Sequence, residues 1–478
     1  MSFWNIPWLE ITILTPLLGA LLTSGVREPA RGHAWGLAFT GAALIAALIG
    51  WLGFQLHGRT DGGAWSLEHR FFANHFFAID ELNLPLIPLV ALLHFLTSLA
   101  TTRTKMRRYS TTWSLAAESI RLAAFSCKEP WLLISLISIG VLPPLIEMLN
   151  RGKPSRVFVL HMSLFIVLMT LGWTFVDSSD NRRTQTAWAT LPLMLAILVR
   201  CGAVPLHCWV TDWCENASFG NALLYITPLV GVYAAVRLVL PIAPDWTLRA
   251  IGIISLLTAL YTAGLGTVQR DARRFFAYFF LSHASLVLVG LELHTPISLT
   301  GSLCLWLSVT LSLSGFGLVL RALEARYGRL SLNQFHGLYD HSPTLAICFL
   351  LLGLGSVGFP GTIGFESAEL LVDGAIEANL YVGIGVVIAS ALNGIAVVRV
   401  YFLLFTGKKH SSTINLEIAP RERIAILTLA SLIVLGGLFP QPVVNSRHLA
   451  AESILRDRES RIPHSETVSV FTEELENE

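Results

Sequence analysis

Apolar runs of about 20 residues, long enough for a helix to cross the hydrocarbon core of a bilayer, recur along nearly the whole chain. They fall near 9 to 26, 34 to 56, 76 to 101, 131 to 149, 156 to 176, 187 to 208, 218 to 240, 247 to 268, 274 to 293, 298 to 320, 344 to 372, 380 to 405 and 422 to 440. A further segment, 112 to 127, contains Glu118 and Arg121, three apart and so on one helical face; if it crosses, it is an inward-paired helix. The pattern predicts an all-α polytopic membrane protein with on the order of 13 or 14 transmembrane helices. Only 14% of the 478 residues are charged, against about a quarter in soluble domains, which excludes an ordinary soluble chain. The 33 basic and 32 acidic residues leave a net charge of +1 and no footprint for nucleic acid.

The first run opens on acidic Glu10 instead of a basic region and reads as a span, not a cleavable signal. From about residue 446 the chain turns polar and acidic, and this tail is expected outside the bilayer. Basic clusters at Arg103 to Arg108, Arg151 to Arg156, Arg182 and Arg183, Arg270 to Arg274 and Lys408 to His410 fall on both predicted sides, so they assign no orientation. Six cysteines are scattered in apolar segments, and the loose group Cys201, His207, Cys208 and Cys214 lacks the spacing of a metal site. No metal or other cofactor is expected.

Two segments interrupt the helical pattern alike. LVRCGAVPLHCW places Gly202 and Pro205 in an apolar span, and LGSVGFPGTIGFESAE places Gly355, Gly358, Pro360, Gly361 and Gly364 in another. Both predict discontinuous helices, and paired breaks in two halves of a chain are the mark of inverted repeats with an ion path at the breaks. The division is then 1–111 as N-terminal helices, 112–240 and 247–405 as the two repeats, 406–445 as a C-terminal helix and 446–478 as the tail.

An isolated charge at the bilayer centre costs at least ~2.5 to 3.5 kcal/mol, so the ionisable residues near the breaks need partners or a wet cavity. Arg200 sits seven residues before His207, with Asp212 and Glu215 just beyond. It either stands on a proton path that meets near Arg200 and Glu369, or anchors one of those carboxylates or snorkels, and it stays charged at physiological pH. Glu366, Glu369 and Asp373, spaced three and four apart, share a face directly after the second break. Glu369 is the strongest candidate for loading and releasing a proton. His207 is either a path member or an interfacial cap. His283, like His161, sits singly on an apolar face, where a satisfied core histidine is the commoner role. Arg399 with Asn393 extends the polar path, and Glu147 is expected at a span end.

Four blocks carry a resemblance over most of residues 76 to 407. FFAIDELNLPLIPL, with Asp80, Leu82 and Pro85, matches an l-D-x-L-s-x-P stretch. RCGAVPLHCW and the following ALLYITPLVGVY share Pro205, Leu206, His207, Trp209, Ala222, Leu223, Leu224, Gly231, Val232 and Tyr233 with a K-S-A-Q-x-P-x-H-x-W segment and its sequel. QRDARRFFAYFFLSHASL and GFPGTIGFESAELL complete the set. The sequence thereby resembles the antiporter-like membrane subunits shared by NADH-quinone oxidoreductase and the multisubunit cation/proton antiporters.

The resemblance implies a proton-translocating subunit with no chemistry of its own, held in the cell (inner) membrane beside lipid and other subunits. The departures are specific. The family's mid-membrane lysine falls on Arg200, its histidine on Tyr225, and its late Lys or Glu on Ala368, beside Glu369. The glutamate expected in the fifth span is missing from 131 to 146. A W-x-x-x-S-L stretch, Trp131, Ser135 and Leu136, looks more like the membrane subunit of two-part inorganic carbon transporters. That likeness implies coupling of proton flow to uptake of CO2 or bicarbonate, with a large zinc-containing, carbonic-anhydrase-like partner. The alternatives are a proton-pumping subunit of an NADH-quinone oxidoreductase, a cation/proton antiporter subunit, and a degenerate membrane scaffold.

Overall fold

The computed structural model describes residues 6–58, 76–101, 110–176, 185–292, 295–407 and 417–461. The basic clusters at 103–108, 182–183 and 408–410 and the end of the acidic tail, beyond 461, lie outside these residues. What is described is helical, as the apolar runs require: α1 (Trp8–Ser24), α2 (Pro29–His57), α3 (Leu86–Leu99), α4 (Thr111–Ser126), α5 (Pro130–Ile139), α6 (Leu142–Asn150), α7 (Arg156–Thr174), α8 (Ala187–Cys201), α9 (Cys208–Asn216), α10 (Phe219–Ile226) and α11 (Val230–Ala234). After a π-helical turn, Ala235–Val239, come α12 (Asp245–Val268), α13 (Ala272–Glu292), α14 (Pro296–Tyr327), α15 (Pro343–Val357), α16 (Ile363–Ala378), α17 (Leu380–Phe405), α18 (Pro420–Leu438) and α19 (Gln441–Arg461). Eight stretches among the described residues are long and apolar enough to cross a membrane, and α18 with α19 forms a ninth candidate bent by 81°. Four shorter apolar helices, α1, α3, α8 and α15, accompany them.

The starts of these helices are written in the sequence. Proline stands in the first turn of α2, α5, α14, α15 and α18, where its missing N–H leaves nothing unpaired. Thr295 caps α14 by accepting from the Ser298 N–H at 3.2 Å, and the Glu129 carboxylate accepts from the Trp131 N–H at 3.1 Å and from Leu132 at the start of α5. α14 is the axis of the molecule. It is buried all round from Ser298 to Leu323 except at Leu311, as a helix apolar on every side must be, and it packs against α13, α15, α16, α18 and α19. The disputed segment 112–127 is a helix, α4, packed on α1 and α3 with Glu118 and Arg121 buried.

Two uniform apolar runs prove to be interrupted. The run near 131 to 149 is two helices meeting at Gly140 and Val141. The run near 218 to 240 is broken at Thr227, Pro228 and Leu229, with Leu229 left-handed at φ 54. There α14 supplies the missing donors: the Trp306 Nε1–H reaches the Pro228 carbonyl at 3.2 Å and the Thr310 hydroxyl the Thr227 carbonyl at 3.0 Å. The polar segment after 446 is helical as far as Arg461 and buries Ala450, Ala451 and Ile454. From it Arg447 donates to the Leu82 and Glu81 carbonyls at 2.9 and 2.6 Å, and Arg458 donates to Ala243 O at 2.9 Å and Asp245 Oδ1 at 2.7 Å.

Candidate functional site

Both predicted breaks are present and are built alike. α8 ends at Gly202, left-handed at φ 73, and α15 ends at Gly358, left-handed at φ 107; a side chain at either would be strained. After Gly202 the chain passes the cis Val204–Pro205 bond into α9, and after Gly358 it passes Pro360 and Gly361 into α16. The backbone groups freed at the first break are re-paired. The Trp209 indole N–H donates to Val199 O at 2.8 Å, the Ala203 N–H to Leu198 O at 2.8 Å, and the Val204 N–H to the Thr258 hydroxyl of α12 at 3.0 Å.

Arg200, in the last turn of α8, is buried and points into this break. Its guanidinium carbon lies 4.6 Å from the Tyr225 ring centroid and 5.5 Å from that of Trp209, a cation–π cradle. The ion-pair anchor expected for it is corrected: Glu215 is held by Arg329 at 2.6 Å and Arg274 at 3.3 Å, and Asp212 accepts from Asn216 at 3.0 Å. Tyr225, where the resembling family has histidine, donates its hydroxyl to Met162 Sδ at 3.2 Å. Its ring therefore holds the arginine while its polar end is occupied.

Beside Arg200 lies a buried cluster on α3 and α4. Arg121 Nη1 is 2.5 Å from His94 Nε2, and His94 Nδ1 is 3.9 Å from Glu118 Oε2. Glu118 is 0% exposed, and among the described residues neither carboxylate oxygen accepts a hydrogen bond. Arg121, Arg200 and Tyr225 line a cavity of about 20 Å³. His94, Arg121, Asn221 and Tyr225, with Pro143 and Pro144, line another of about 30 Å³. Each has room for ordered water among several polar partners.

Glu147 was expected at a span end and is instead buried, 4% exposed. It caps α10 by accepting from the Ser218 N–H at 3.0 Å, and it also accepts from Asn221 at 2.9 Å and Arg151 at 3.2 Å. Asn221 thus joins Glu147 to the larger cavity. His94 and Asn221 were not picked out in the sequence; a lone histidine in the apolar ALLHFL run was the only signal.

The second break is less enclosed. Glu366 is half-buried, whereas Glu369 and Asp373 are exposed on α16, so the acidic face predicted by their spacing points outward from this chain. His283 is a satisfied core residue, its Nδ1 bonded to the Phe279 carbonyl at 2.8 Å. Arg399 does not meet Asn393: it caps the end of α12 through the Gln269 carbonyl at 3.2 Å, while Asn393 donates to the Ser282 hydroxyl at 2.8 Å. His207 is half-buried at the far side of the first break, its ring 5.9 Å from Tyr261 and 6.1 Å from Tyr278. The QRDARR block forms a clamp, with Arg273 bidentate on Glu324 at 2.7 Å and Arg329 on Asp271 at 2.8 Å.

Comparison with known proteins agrees with this architecture. The family model described as NADH:quinone oxidoreductase/Mrp antiporter, transmembrane, matches residues 156–393. NADH-quinone oxidoreductase subunit M of Rickettsia bellii is 27% identical over 275 residues, which are 56% of this chain and 55% of that protein, so this alignment spans about half of each. Subunit M of Pseudomonas aeruginosa is 25% identical over 494 residues, covering 92% of this chain and 95% of that protein. In fold, the chain superposes on a subunit of respiratory complex I from Thermus thermophilus with TM-score 0.82 at 22% identity, over 94% of this chain and 99% of that one. It superposes equally on a chain of the Mrp complex from a Dietzia species, TM-score 0.82 at 15% identity, over 96% and 100% of the two. Broken helices around a buried arginine, in a fold and a sequence both shared with these subunits, make the chain a multi-pass membrane protein of the NADH:quinone oxidoreductase/Mrp antiporter family.

Proposed function

We propose that this chain translocates protons as one membrane subunit of a respiratory, NADH-quinone oxidoreductase-like complex. The observation that carries the proposal is the file of ionisable and polar side chains, buried Glu147, His94, Arg121 and Arg200 with half-buried Asn221 among them, that leads through water-sized cavities to the first helix break. Membrane proteins keep such groups in an apolar interior where an ion path needs them, because each is expensive there. The stretches 112–240 and 247–405 act as paired repeats, supported by the matching left-handed glycine at each break. Arg200 serves as a fixed positive charge that sets when a proton can occupy the neighbouring water. Glu366 and Glu369 carry the path beyond the second break, and the outward aim of Glu369 suits delivery at a contact with an adjacent subunit.

The relatives named above are quinone oxidoreductase and Mrp subunits, which support the respiratory reading, with the cation/proton antiporter next, over the inorganic-carbon one; no zinc-bearing partner is invoked. The test is proton uptake by vesicles holding the intact complex, with Arg200→Met against wild type. Loss of flux by about tenfold or more, the effect of ~1.4 kcal/mol on a barrier, supports the reading. Unchanged flux in a fully assembled variant overturns it.

A further inference from the structure

The resembling family places a glutamate in the fifth span, and here that span has none where it is expected. A buried carboxylate that accepts no hydrogen bond among the described residues is nevertheless present next door, on α4. We propose that Glu118 is a proton-binding site, loaded through His94 from the water-sized cavity that Asn221 links to Glu147, and that it takes the part of the missing acid from a different helix. The proposal rests on the proton-translocating reading and adds the group that holds the proton.

The geometry assigns each neighbour a part. His94 of α3 lies between the cavity, which it lines, and Glu118, which it faces at 3.9 Å through Nδ1. With Arg121 donating to Nε2 at 2.5 Å, the imidazole proton sits on Nδ1, directed at the carboxylate. When the Arg121 side chain swings from Nε2 toward the cavity, a cavity water donates a proton to Nε2 as the Nδ1 proton passes to Glu118 Oε2. One proton enters and one is delivered; the water regains its proton from those behind it, and the imidazole is left as its other tautomer. Transfer needs the 3.9 Å separation to close to about 3 Å, a side-chain motion well within rotamer freedom. Arg121 is the charged group acting on Glu118, with Arg200 and Tyr225 acting in turn on Arg121. Loading the proton cancels the one buried negative charge of the cluster, leaving Arg121 and Arg200 to repel the next arrival and push a proton onward. Glu118 and Arg200 are therefore coupled through Arg121 without touching.

The experiment uses the intact complex in vesicles and two readouts: proton flux, and infrared difference spectra of the carboxylic C=O stretch on stepping the pH. Wild type is expected to show a buried-carboxyl band that shifts in deuterium oxide. Glu118→Gln should abolish that band and lower flux by about 10²-fold, within the span attributed to a positioned acid–base group. Glu118→Asp should restore part of both. If Glu118→Gln does not assemble, His94→Gln provides the second arm: flux falls, and the Glu118 band persists but no longer follows the pH step.

Assembled Glu118→Gln with flux within twofold of wild type and an unchanged band overturns the proposal. So does His94→Gln with flux and band unaltered. If Arg200→Met stops flux while Glu118→Gln does not, the transport reading stands and the Glu118 site falls. If wild type shows no flux, the transport reading fails, and the infrared band alone decides whether Glu118 binds a proton.

Discussion

Glu147 holds the start of α10 in place, and removing it should show how much of the site's rigidity comes from one carboxylate. Glu147→Ala deletes the cap on the Ser218 N–H, a loss of about 1 kcal/mol. It leaves the Asn221 amide without its carboxylate partner, about 1 to 2 kcal/mol more. The Arg151 pair adds only ~0.5 kcal/mol, because that arginine is 26% exposed and turns to solvent. The expected total is about 3 kcal/mol. Glu147→Gln keeps an oxygen for the Ser218 N–H and the Arg151 donor but sets its amide N–H group against the Asn221 donor, so about 1 kcal/mol is expected. Five of the six cysteines are buried and Cys208 is exposed, so pulse labelling of thiols across a detergent-unfolding titration, in a Cys208→Ser background, reports the unfolding midpoint. Equal midpoints for Glu147→Ala and Glu147→Gln, or an Ala effect below about 0.5 kcal/mol, as at an ordinary surface site, would refute the capping argument.

Tyr225→Leu keeps an apolar side chain near Arg200 and removes the ring; it should destabilise by about 1 kcal/mol or more, and an unchanged midpoint in the same titration would show that the cradle contributes nothing. Gly358→Ala forces φ 107 on an L-residue and should lower stability by about 1 to 2 kcal/mol, whereas Gly264→Ala, in a helix with open space around it, should not destabilise. Trp306→Phe leaves the Pro228 carbonyl unpaired and should cost about 1 to 2 kcal/mol, with faster hydrogen exchange across 227–235; exchange equal to wild type argues that the break does not depend on α14. Arg273→Met removes both bonds to Glu324 and should cost about 3 kcal/mol, and Arg273→Lys should recover less than half of it, since a point charge cannot reproduce the fork.

The helical, membrane-crossing class could be read directly, since no other backbone arrangement satisfies so many apolar runs. The breaks at Gly202 and Gly358 were also legible, because glycine and proline act through local dihedral geometry. Spacing likewise put Glu118 and Arg121 on one face of α4. What could not be read is which way a face points. Glu366, Glu369 and Asp373 share a stripe, yet only neighbouring helices decide that Glu369 looks outward. The Pro228 break was hidden because its compensation comes from Trp306, 78 positions away. Arg200 was matched to carboxylates close in sequence, but Arg329 and Arg274 had already engaged Glu215, and two aromatic rings took their place. Burial of Glu147 likewise depends on an amide 74 positions further on. Local stereochemistry is encoded locally, whereas the partners of buried polar groups are distributed over the chain.

The arginine on α19 has a bearing on how this chain is made. The carbonyls of Glu81 and Leu82 emerge from the ribosome early, and the guanidinium of Arg447 that pairs with them follows 365 residues after Leu82. At a synthesis rate of ~5 to 20 residues per second, that interval is on the order of 20 to 70 seconds. Throughout it the loop ahead of α3 must borrow hydrogen bonds from water or from lipid headgroups, so the nascent protein stays open on one side until its last described helix arrives. Quality control that senses this gap would find a chain stalled before α19 nearly finished in its membrane spans and still unlatched.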